Sequence, residues 1–78
     1  MPGDSKNIIG ARVQAARLRA KPLMTQVQLS EALAEHGVSI DRAGVSKIEI
    51  GQRSIYDFEV KAFSKVLGVS LDWLLKEG

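Results

Sequence analysis

Apolar residues along this chain recur every three or four positions, and nowhere do they alternate in the every-second pattern of a half-buried strand. At about 100° per residue, Ile9, Val13, Ala16 and Ala20 share one stripe of a first helix from about Asn7 to Ala20, with Arg12, Arg17 and Arg19 off it. Lys21-Pro22 ends that helix, because the residue before proline is pushed out of helical backbone. Thr25 with Gln28 three residues later is a capping-box pattern, in which each side chain satisfies the other's backbone N–H, and it opens a second helix. Leu29, Ala32 and Leu33 make the buried face of this helix, and Gly37 is suited to leave it with positive φ. Asp41 caps a short third helix that Gly51 stops. A fourth runs from about Asp57 to Leu67, with Val60, Phe63 and Leu67 inward and Asp57 and Glu59 at the positive end of its dipole, and Gly68 closes it. Ser70 caps a fifth, Leu71 to Glu77, which brings Trp73, Leu74 and Leu75 to the domain.

The third helix carries the functional argument. Val45 and Ile48 point one way, while Ala43, Ser46, Lys47 and Ile50 gather on the opposite side with Arg42 at its edge. Two apolar anchors thus hold a helix whose outer face is small and basic. Short side chains let the backbone approach a DNA major groove, and Lys or Arg donates to guanine O6 and N7. A merely solvated helix more often carries Glu/Lys pairs.

Composition bounds the picture. A chain of 78 residues is one domain, 1–78, burying only ~60% of the surface it exposes unfolded. At 45% apolar it is too hydrophobic for a disordered chain, and zero cysteines exclude a disulfide framework or thiolate zinc site. The net charge of +2 is weak, but residues 1–54 hold eight basic and five acidic side chains (+3) and 55–78 hold three and four (−1), so the front can face phosphate. A solvated surface of interspersed charges would give similar totals. Residues 1–6 read as a flexible N-terminal arm, with neither a leader nor a membrane span in the pattern, and the expected location is the cytoplasm, with the nucleoid. His36 is the only histidine and has no nucleophile or carboxylate pair arranged with it, so no enzyme, metal or cofactor is expected.

Four fragments now stand in order: Ile9-Gly10-Ala11-Arg12-Val13, Met24-Thr25-Gln26-Val27-Gln28-Leu29-Ser30, Val45-Ser46-Lys47-Ile48-Glu49-Ile50-Gly51-Gln52-Arg53 and Leu67-Gly68-Val69-Ser70-Leu71-Asp72-Trp73-Leu74-Leu75. Together they resemble the Xre-type, phage-repressor-like helix-turn-helix domain over nearly the whole chain. The resemblance implies an all-α, five-helix lambda-repressor-like fold that binds double-stranded DNA as a transcriptional regulator, a repressor, with the helix from about Arg42 to Ile50 in the major groove. It carries base contacts to Arg42, Ala43, Ser46 and Lys47, and backbone contacts to Thr25, Gln26, Arg53 and Ser54. Glu49 takes the position of an acidic residue that pairs with an arginine of the first helix, here Arg17.

The chain also departs from the family pattern. Leu23-Met24 lengthens the first turn, and Glu35 to Ser39 lengthens the turn inside the helix-turn-helix. Ser30 replaces an alanine, small for small. Gly44 inside the third helix costs ~1 kcal/mol against alanine and is expected to allow close approach to the duplex. Ile50 is either a contact to a thymine methyl or a surface apolar residue.

One short helix reads few base pairs, so two copies on an inverted repeat are expected, a homodimer at least on DNA. Ile55, Phe58, Trp73 and Leu75 are the candidate pairing surface, with closure of the monomer's own core as the alternative role. The rival function is a protein-interaction module of the same fold, antitoxin-like or an anti-repressor partner.

Overall fold

The computed structural model describes residues 5–76 as five helices and, among those residues, no strand. They are α1 (Gly10–Arg19), α2 (Gln26–Glu35), α3 (Arg42–Glu49), α4 (Asp57–Leu67) and α5 (Leu71–Leu75). Local rules place most of the boundaries. Thr25 Oγ1 accepts from Gln28 N at 3.1 Å while Thr25 N donates to Gln28 Oε1 at 2.9 Å, the reciprocal cap expected of that pair. Asp41 Oδ1 accepts from Gly44 N at 2.8 Å, and Ser70 Oγ from Trp73 N at 3.0 Å. Gly37 and Gly51 leave their helices at φ 80° and 77°.

Two boundaries differ from the sequence expectation. The first helix starts at Gly10 rather than Asn7, because Asn7 works from outside it: its Oδ1 accepts from Ile9 N at 3.1 Å and Gly10 N at 2.7 Å. The fifth ends at Leu75, with Lys76 already extended, and Glu77 lies outside the described residues.

One core joins all five helices, built on the fully buried Ile9, Val13, Leu29, Leu33, Val45, Ile48, Phe63 and Leu74. The long helix-turn-helix turn belongs to it, since Val38 and Ile40 are buried there and Val38 N donates to Leu33 O at 3.0 Å. Ser30 does more than fit in place of alanine: its hydroxyl donates to Ile40 O at 2.6 Å and satisfies a carbonyl that the lengthened turn would leave buried. Gly44 is likewise explained inside the protein. A Cβ there would meet Ile40 Cγ2 at 2.8 Å and the capping Asp41 Oδ1 at 3.1 Å, so the missing side chain makes room for the end of the turn.

Candidate nucleic-acid interface

α3 is held from its inner side by Val45 and Ile48, both fully buried, which contribute about 1.5–3 kcal/mol each. A polar clamp adds orientation. Arg17 Nε and Nη2 donate to Glu49 Oε2 and Oε1 at 2.7 and 3.0 Å, and the Glu49 side chain is only 1% exposed. Arg17 Nη1 also donates to Met24 O at 3.1 Å, so the same guanidinium fixes the long α1–α2 turn. Gln26 Nε2 supplies a third donor to Glu49 at 3.0 Å. The expected Arg17–Glu49 pair therefore exists, and it ties α1, the start of α2 and the end of α3 at one point.

A second clamp was not visible in the spacing. Asn7 Nδ2 donates to Ile48 O at 3.1 Å and to Arg53 O at 2.8 Å while its Oδ1 caps α1, so one side chain makes four hydrogen bonds, two of them across 41 and 46 residues of chain. Gly10 allows this approach, because a Cβ there would overlap the carbonyl oxygen of Ile48. Asparagine's preference for the position just before a helix was the available signal. Ser5 and Lys6, read as part of an arm, lie against the same corner: Lys6 N donates to Gly51 O at 2.8 Å. Residues 1–4 are outside the described residues.

The outer face of α3 emerges as the projection required. Arg42, Ala43, Lys47 and Ile50 are exposed and Ser46 is half-buried, and among the described residues neither Arg42 nor Lys47 is ion-paired. Gln26, bonded to Glu49, sets the N-terminus of α2 at the C-terminal end of this helix. No acidic residue occupies the first turn of α2, whereas that of α4 holds Asp57 and Glu59. The Gln26 amide keeps one N–H beyond the one spent on Glu49, so phosphate contact and clamp are compatible. Thr25 is exposed and its hydroxyl is occupied in the cap.

Arg53 and Ser54 follow α3. Ser54 is exposed, but Arg53 is partly spent: Nη1 and Nη2 donate to Glu59 Oε1 and Oε2 at 3.2 Å each, and Nη1 to Ser54 O at 3.0 Å. Two of its N–H groups remain. Glu59, expected only to complement the α4 dipole, is buried and also accepts from Tyr56 N at 2.9 Å, which fixes the chain between α3 and α4.

Of the four pairing candidates, Phe58 and Leu75 are exposed, whereas Ile55 and Trp73 are partly buried against the core. The Trp73 ring also carries the guanidinium carbons of Arg12 and Arg19 at 4.9 and 5.8 Å from its centroid.

Among the described residues no cluster of ligating side chains is of a size to hold a metal ion, and no helix is long and apolar enough to cross a membrane. A family model described as helix-turn-helix matches residues 16–74, from the last turns of α1 into α5. No curated protein and no solved structure matches the chain. The match spans both helices of the motif, the Arg17–Glu49 clamp and the exposed α3 face; the chain belongs to the Xre-type, lambda-repressor-like helix-turn-helix family, a family of DNA-binding and not of catalytic domains.

Proposed function

We propose that this chain is a sequence-specific repressor of transcription, acting in the cytoplasm on nucleoid DNA. The observation that carries the reading is the α3 face, where Arg42 and Lys47, not ion-paired among the described residues, flank small Ala43 and Ser46 on a helix fixed from behind by Val45, Ile48 and Glu49. Arg42 and Lys47 read base edges, and Ala43 and Ser46 let the backbone close on the groove floor. The α2 N-terminus with Gln26 and Thr25 takes one backbone phosphate, and Arg53 with Ser54 takes another.

Two copies act on an inverted repeat, meeting through α5, where Leu71 and Leu75 stand exposed one turn apart. Selection of bound sequences from a random duplex pool tests the reading. The expected product is a palindromic consensus bound as a 2:1 complex, with half-site centres about 34–36 Å apart. Binding of all sequences alike, or no binding at low salt, would overturn it.

A further inference from the structure

We propose that a groove between the end of α2 and the outer face of α4 seats an acidic segment of a partner protein through one apolar side chain. The groove is an open depression of about 240 Å³, lined by the buried Val38 and Ala62 and by exposed Phe58, Lys61, Lys65 and His36. Phe58 is 57% exposed, and its ring stacks on Tyr56 with centroids 5.8 Å apart and 4° between planes. An aromatic wall over an apolar floor is an anchor pocket for one side chain. Charge selects the partner's chemistry. No carboxylate lines the groove, and among the described residues neither lysine is ion-paired, so the rim presents two cations to whatever flanks the anchor.

A phosphate backbone fits this shape poorly, since it has no apolar group for the floor. The place is also wrong for the duplex: His36 ends α2 about 15 Å from the Gln26 end that faces phosphate. A partner seated here leaves the outer face of α3 open. The assignment stands apart from the DNA-binding reading, and both are measured on the same variants.

The experiment titrates the full chain with a fluorescein-labelled dodecapeptide, a central leucine flanked by aspartates and glutamates, and with its lysine counterpart. The acidic peptide should bind and the basic one should not. Phe58→Ala, and separately Lys61→Gln with Lys65→Gln, should each weaken it about tenfold, and the glutamine pair should leave affinity for the selected duplex unchanged within about twofold. These positions are exposed, so circular dichroism should show parental folding. Absence of peptide binding to the parent, or equal binding by the variants, would overturn the proposal. So would loss of duplex affinity in the lysine variants without peptide binding, which would give the cations to DNA, or loss of self-association in Phe58→Ala, which would give the groove to a second copy.

Discussion

Glu49→Ala tests how much of the position of α3 depends on one carboxylate. The substitution removes the acceptor of two Arg17 hydrogen bonds and one from Gln26, and strands a guanidinium whose side chain is only 10% exposed. An exposed ion pair contributes ~0.2–1 kcal/mol, whereas breaking a buried one costs about 3–5 kcal/mol, chiefly because the remaining charge is left unsolvated. Here the Met24 carbonyl still accepts from Arg17, so the expected loss is at the lower end, about 3 kcal/mol. For 78 residues a total stability of roughly 4–12 kcal/mol is ordinary, so this single change removes a large share. With a urea dependence of about 1 kcal/mol per molar, the midpoint should fall by about 3 M at unchanged slope. The double replacement Arg17→Met with Glu49→Leu removes both charges and should recover most of the loss. Urea titrations of the parent, the singles and the double measure the coupling. A single-variant cost under about 1 kcal/mol, or a double variant as unstable as the worse single, would refute the reasoning.

Other outcomes follow from named contacts. Gly10→Ala should destabilise by about 1–3 kcal/mol in the same titration, against the ~1 kcal/mol gain helix propensity alone would give, because the new Cβ overlaps the Ile48 carbonyl. Asn7→Ala removes four hydrogen bonds and should cost roughly 2–4 kcal/mol, read as a lower melting temperature and faster amide exchange at Gly10. Lys47→Ala and Arg42→Ala should each weaken the best duplex by about 1–3 kcal/mol and broaden the selected consensus, in gel-shift titrations against a mismatch series. Gln26→Ala should weaken all duplexes nearly alike in the same series.

What the sequence disclosed was what neighbours in the chain decide. Thr25 with Gln28, Asp41 and Ser70 cap helices within three residues, and Val45 with Ile48 fall on one face by periodicity alone, so α2, α3 and the exposed outer face of α3 were legible. Contacts set by atoms far apart in the chain were not. Asn7 looked like the first residue of a helix, because nothing near it indicates that its amide nitrogen meets the carbonyls of Ile48 and Arg53. Gly44 and Ser30 were read by residue type, whereas within the protein Gly44 leaves room for the Ile40 and Asp41 side chains and Ser30 bonds the Ile40 carbonyl of the long turn. Arg17 and Glu49 came from family likeness, and their common tie to Gln26 only from geometry.

The four-bond Asn7 clasp also bears on when reading competence arises. α3 has eight residues, too few to persist as a helix by its own hydrogen bonds, and the groups that hold it enter the chain 32 to 46 residues earlier. No partly folded form therefore offers a shaped reader: the helix forms only when the opening segment has closed over its far end. Hydrogen exchange in α3 should then proceed at the rate of whole-domain opening, and the affinity for DNA should vanish in the same all-or-none transition as the core. For this domain, the fraction of molecules able to bind DNA is set directly by the fraction folded.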